Sequence, residues 1–173
     1  MIYFTADTHF NHQNILKLCN RPFKTIEEYD EALIKNWNRV VKPKDEVYVL
    51  GDLIMTSSGE KADSLLKQLN GNKYLIVGNR DTYLKDPEFD TSLFVWIKYY
   101  YELRYNHKSI ILFHYPILEW DNFYGGSIHL YGHVHNHSEE YFKKALSKRA
   151  VNVGVDLTNY TPISINEIIK LTN

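Results

Sequence analysis

Cysteine is nearly absent. Cys19 stands alone in a chain of 173 residues, so no intrachain disulfide can form, which suits a reducing compartment. An excess of one charge is lacking too, because 20 Lys and Arg face 21 Asp and Glu for a formal net charge of -1. Without a basic excess there is no electrostatic footprint for a long nucleic acid. A locally positive site, or a bound cation that this count omits, leaves room for a phosphorylated small molecule or a short phosphodiester. No apolar run is long enough to span a bilayer, so no membrane partner is expected. The opening MIYFTAD is apolar but lacks a basic leader and a cleavage site. It reads as a first strand rather than a signal peptide. A cytoplasmic location is the expectation, and the sequence sets no oligomeric state.

What is present is an ordinary globular balance of 44% apolar and 24% charged residues, with 14 tyrosines and 8 histidines. The length suits one domain over residues 1–173. Tyrosines are expected at core edges and on the surface. Residues 2–6 and 46–52 read as buried strands. Between them Thr25 and Glu28 have capping-box spacing, and Ile26, Tyr29, Leu33, Trp37 and Val40 mark one helical face. Ser57 and Glu60 cap a second expected helix over 59–69, closed by Gly71. Residues 72–81 repeat the strand-then-loop pattern. Beyond them, 93–105, 108–116, 127–137, 149–156 and 162–168 read as strand material, with a turn at 106–108. The order is βαβαβ and then mostly β. It predicts an α/β fold with crossover helices in the first half and a more antiparallel sheet in the second, two sheets packed together with helices outside.

Five of these strands end in nitrogen or oxygen donors: Asp7 and His9, then Asp52, then Asn79, then His114, then His133 and His135. Ligands gather at the carboxyl ends of strands in such sheets. Residues two apart on an extended backbone face the same side, which pairs Asp7 with His9 and His133 with His135. A carboxylate such as Asp52 can bridge two cations, and seven donors suit two metal ions better than one. Imidazole with carboxylate fits Mn, Fe, Zn or Ni, with no thiolate among the donors.

This ordered set resembles the signature of the calcineurin-like metallophosphoesterase superfamily. Its pattern, Asp-x-His, Gly-Asp, Gly-Asn-His-Asp, His and Gly-His-x-His, stands here as Asp7-Thr8-His9, Gly51-Asp52, Gly78-Asn79-Arg80-Asp81, His114 and Gly132-His133-Val134-His135. The CNRPF, HYP and NVGVD segments place it with the small phage and bacterial branch. The resemblance implies a four-layer sandwich of two mixed sheets flanked by helices. It implies two divalent ions, with Mn the expected metal in vitro. One would be held by Asp7, His9, Asp52 and His135, the other by Asp52, Asn79, His114 and His133. It further implies metal-dependent hydrolysis of a phosphate ester by a water activated between the ions, with Asp52, His114 and Arg80 in catalytic roles. A diester, which carries less charge and needs fewer clamps, is favoured slightly over a monoester.

Arg80 replaces the family's usual histidine. Arginine holds its proton too tightly to act as an acid near neutral pH, yet it can clamp a phosphoryl oxygen. His12 and His137 are the nearby groups that can replace the missing acid on the substrate side. Arg21 is a further candidate for phosphate recognition, and Asp81 either orients a metal ligand or pairs with Arg80. Asn152 and Asp156 read as stabilisers of the loop after their strand, and His129 as structural. Two rival readings remain: a catalytically weak metal-binding scaffold of the same fold, and a nucleic-acid module stacking bases on WIKYYYELRY. For that run, core and sheet-edge packing is the simpler expectation.

Overall fold

The computed structural model describes residues 1–137 and 139–173. Strands β1 (Ile2–Thr5), β2 (Glu46–Val49), β3 (Asn72–Ile76) and β4 (Trp96–Lys98) run parallel in the order β4-β3-β2-β1, and β9 (Ile163–Ser164) joins β1 antiparallel. Successive side chains of a strand face opposite sides. Val47 and Val49 therefore enter the core beneath the helices, while Tyr48 and Leu50 enter the core between the sheets. Crossovers through α2 (Ile26–Val40) and α3 (Gly59–Leu66) cover the first sheet. Helix α2 buries Tyr29, Leu33 and Trp37, and Thr25 caps it by accepting from the Glu28 amide. The return bond shifts by one residue, because Glu28 accepts from the Lys24 amide. Helix α3 is shorter than its apolar spacing suggests and is capped by Ser58, not Ser57.

The second sheet has the order β5-β6-β7-β8, built from β5 (Tyr100–Tyr105), β6 (Lys108–Phe113), β7 (Ile128–Tyr131) and β8 (Ala150–Asn152). Asn106 and His107 both have positive φ, 46° and 64°, the twist that a tight hairpin between β5 and β6 needs. Only that pair is antiparallel; β7 runs parallel to both β6 and β8. The second sheet is thus mixed, and more antiparallel than the first, where antiparallel pairing is confined to the short β9. The long 114–127 connection carries the chain back before β7 begins. The aromatic run also changes sheets at Tyr99, ending β4 in one and starting β5 in the other.

A correction falls near the C-terminus. The expected strand over 162–168 is a two-residue β9 followed directly by helix α5 (Ile165–Thr172). Ser164 and Glu167 form a reciprocal capping box, and Ile165 and Ile168 fall on one buried helical face. The short helices α1 (Ile15–Leu18) and α4 (Glu139–Ala145) had no clear periodic signal. Among the described residues, no helix is long and apolar enough to cross a membrane.

Two mixed sheets with flanking helices thus share one core of Phe4, Leu50, Ile76, Ile110, Leu112 and Leu130. At one edge the strand ends are stitched together. The Ala6 amide donates to Val153 O, the Asp7 amide to Gly51 O and the Gly132 amide to His114 O. This brings the polar ends of β1, β2, β3, β6 and β7 to one place.

Candidate metal centre

The backbone bends sharply where the donors sit. Asp7, His9, Asp52, His133 and His135 all have positive φ, between 48° and 71°. Side chains other than glycine adopt this region at a cost, and such strain collects at functional sites. Ladder-like bonds hold the bends: the His9 amide donates to Asp52 O and the Phe10 amide to Leu53 O. Two glycines are required by close approach. A Cβ on Gly78 would lie 2.3 Å from Asp52 Oδ1, and one on Gly132 would lie 2.6 Å from Asp7 Oδ2. The loops can press carboxylates this close only because those positions carry no side chain.

All seven donors expected from the sequence meet at this edge. Asp7, His9 and His135 place ligand atoms within 4.8 Å of one another, as do Asp7, Asp52 and His114. Asp52 lies between two imidazoles, with Oδ2 at 3.4 Å from His9 Nε2 and Oδ1 at 3.7 Å from His114 Nε2. On the other side, Asn79 Oδ1 lies 3.1 Å from both His114 Nε2 and His133 Nδ1. His114 Nδ1 is 2.7 Å from Leu50 O, which can only accept, so Nδ1 carries the proton and Nε2 offers a lone pair. A lone pair facing a carbonyl oxygen is unfavourable unless a cation lies among them.

Orphaned atoms say the same on the buried side. Asp7 Oδ2 accepts from the His133 amide at 2.8 Å, but Oδ1 is buried without a hydrogen bond, as is His9 Nε2, which has only the Asp52 carboxylate at 3.4 Å. Leaving such groups unpaired is costly. Burial pushes the Asp7 carboxyl up to about 7, with Asp52 adding to this against the pull of His135. Burial and the positive His135 and Arg21 hold His9 down at about 2. The imidazoles of His9, His114 and His133, whose charged forms burial disfavours, form with the Asp7 carboxylate and the Asn79 amide oxygen a donor set suited to divalent metal.

Supporting groups orient these donors. Asp81 accepts from the amides of Asp52, Leu53 and Gly78, fixing two ligand loops through one carboxylate. It makes this contact with backbone and does not pair with Arg80. His135 Nδ1 lies 3.0 Å from Asp156 Oδ2. Burial works against a charge on His135, yet Asp156, Cys19 and Asp7 together outweigh it and push the imidazole up to about 10. A carboxylate behind a ligand histidine fixes its ring and tautomer. Asn152 holds the same residue by donating to His135 O at 3.0 Å. Asp156 therefore does more than steady its loop. The only signal for it in the sequence is one more carboxylate at a strand end.

Arg21 corrects its expected role. It is buried, and its guanidinium is used up on protein: both Asp156 oxygens at 2.7 and 2.9 Å, Asp7 O, Thr8 O and the Tyr29 hydroxyl. No donor is left for phosphate; Arg21 locks the Asp7–His9 loop to the Asp156 loop. His137 is exposed, with its Nε2 3.9 Å from Cys19 Sγ. His12 packs on His9, with their Nδ1 atoms 3.2 Å apart. Arg80 remains exposed. Its amide donates to Asp52 Oδ1 at 2.7 Å, and its guanidinium makes no hydrogen bond or ion pair among the described residues. His129 is structural, buried between Ile111 O and Tyr115 O.

Known proteins are similar to this chain along its length. The chain is 43% identical over 173 residues to an uncharacterized protein of Methanocaldococcus jannaschii, MJ1445, covering 98% of this chain and 90% of the relative. It is 25% identical over 198 residues to the Gene 66 protein of Mycobacterium phage L5, covering 99% of this chain and 93% of that protein. The crystal structure of AQ665, a protein of unknown function from Aquifex aeolicus, superposes with a TM-score of 0.76 at 28% identity, covering 99% and 98% of the two chains. A family model described as calcineurin-like phosphoesterase matches residues 1–148. On that match, and on donors meeting at the strand ends, the chain belongs to the calcineurin-like phosphoesterase family.

Proposed function

We propose that this protein hydrolyses phosphate esters, diesters in preference to monoesters, with two divalent cations, manganese being the metal expected to support activity in vitro. The observation that carries this reading is the pairing of two donor groups across Asp52. Asp7, His9 and His135 gather on one side, and Asn79, His114 and His133 on the other. When bound, such ions supply Lewis acidity and a water acidic enough to act as nucleophile near neutral pH.

The chain's own residues do the rest. Asp52 holds the two halves in register, and the Arg80 amide fixes its Oδ1. The Arg80 guanidinium, exposed beside Asn79, is free to clamp a non-bridging phosphoryl oxygen. One exposed guanidinium, that of Arg80, suits the single charge of a diester better than the double charge of a monoester. Arg80 gives no proton to the leaving oxygen at neutral pH, so esters of acidic alcohols and phenols turn over fastest. The test is elemental analysis of purified protein together with a panel of phosphomonoesters and diesters under added Mn, with a chelator control. Chelator-sensitive diester hydrolysis supports the proposal. Metal-loaded protein inert on both classes would overturn it and favour a scaffold.

A further inference from the structure

The aromatic side chains around the metal centre are unevenly placed. On the side of Asp7, His9 and His135, rings such as Tyr29 are buried and Phe23 packs against that core. On the side of Asn79 and His133, rings stand in solvent. Tyr115, the residue after His114, is 37% exposed. Its ring lies 4.6 Å from that of His133 and 4.8 Å from that of His114. Behind it Phe113 follows at 5.6 Å, then Tyr100 at 6.3 Å from Phe113.

Topology explains the file of rings. β5 and β6 are antiparallel, so Tyr100 at the start of β5 pairs with Phe113 at the end of β6. Both lie at the sheet edge where the donors lie, and Tyr99, 72% exposed, precedes them. Tyr115 is held in place from behind, since His129 Nε2 lies 3.2 Å from its carbonyl oxygen. A ring more than a third exposed beside His133 offers a planar group a stacking partner. Rings beside a phosphate-binding centre are the arrangement that nucleobases use, since every base has a π-face.

We propose that Tyr115, backed by Phe113 and Tyr100, is a stacking platform for a planar aromatic ring carried by the phosphate ester, and that the ring is the base of a nucleotide. The inference rests on the hydrolytic reading for the placement of the phosphate at the metals, with Arg80 on the same open side. Tyr115 is then a specificity-determining residue. It recognises the organic arm of the ester and leaves the reacting atoms to the metal centre.

The experiment is a binding comparison that does not require turnover. Calorimetric titration of Mn-loaded protein with thymidine 5′-monophosphate and with 2-deoxyribose 5-phosphate differs only in the base. The base should tighten binding about tenfold, the scale of one stacked base. Y115L should bring the ratio to near one, and Y115F should keep it, because the ring and not the hydroxyl is used. Y141L, altering an exposed tyrosine on α4, should leave the ratio unchanged. A ratio near one in the wild type, or one that survives Y115L, would overturn the platform. So would loss of bound Mn in Y115L, which would mark Tyr115 as a support for His133. Titration with phenyl phosphate separates the two sources of a planar ring: an aryl ester binding as tightly as the nucleotide would replace the base with a simple aryl group. Should the nucleotide bind through Tyr115 while no ester is hydrolysed, the platform stands and the hydrolytic reading fails.

Discussion

The two halves of the metal centre are built differently. Asp7 and His9 are buried; Arg21 and Tyr29 hold the Asp7 and Thr8 carbonyls from behind, and Asp156 holds the His135 ring. Asn79 and Arg80 are exposed, and His133 is half-buried between Asn79 and Tyr115. The closed half spends its supporting groups, Arg21, Tyr29 and Asp156, on the protein, and the open half leaves the Arg80 guanidinium for a ligand. Two arginines make the contrast plain. Arg21 is saturated inside the fold, whereas Arg80, on the third motif, has its guanidinium free. The same residue type thus serves structure in one half and is offered to phosphate in the other.

Substitutions can break this comparison. The largest effect is expected at the junction of the halves. Asp52→Asn should lower hydrolysis by about a hundredfold or more and reduce bound metal, read by steady-state kinetics and elemental analysis. Equal activity and metal content would remove Asp52 from its bridging role. In the closed half, Arg21→Leu should cost about 3–5 kcal/mol of stability, because it strips the buried Asp156 of its two guanidinium bonds and leaves it His135 alone. The open-half counterpart, Arg80→Ala, should lie within about 0.5 kcal/mol of wild type by denaturant unfolding while its turnover falls. If the two variants unfold alike, the division into a structural and a functional arginine is wrong.

Two smaller effects sharpen the picture. Asp156→Asn should weaken metal affinity by about 10- to 100-fold through loss of the charge behind His135, measured by competition with a fluorescent chelator. Arg80→His should raise the rate on esters of poor leaving groups relative to activated ones, since histidine can give a proton near neutral pH. If the variant gains nothing on poor leaving groups, leaving-group protonation is not what Arg80 limits.

Much of this was legible in the residues. Helix α2 follows its capping signal and its apolar spacing, and the strand ends fall where polar donors interrupt apolar runs. The glycines before Asp52, Asn79 and His133 were visible as part of each motif. Their reason, a carboxylate or imidazole pressed against the Cα, was not. The end of the chain misled, since the alternation in PISINEI mimics a strand until Ser164 and Glu167 close a capping box. Arg21 misled for another reason, as its role depends on neighbours remote in sequence.

The sequence by itself determined the donor set, the order in which it arrives, and the strand-and-helix alternation that carries it. These are local properties, written in side-chain chemistry and in periods of two and 3.6 residues. The tertiary structure alone decided which donors share a side, that Asp156 backs His135, that Arg21 turns inward and that Tyr115 stands against His133. Arg21 and Asp156 meet across 135 residues of chain. No local period encodes such a contact; it arises only when two sheets pack and bring their strand ends to one edge.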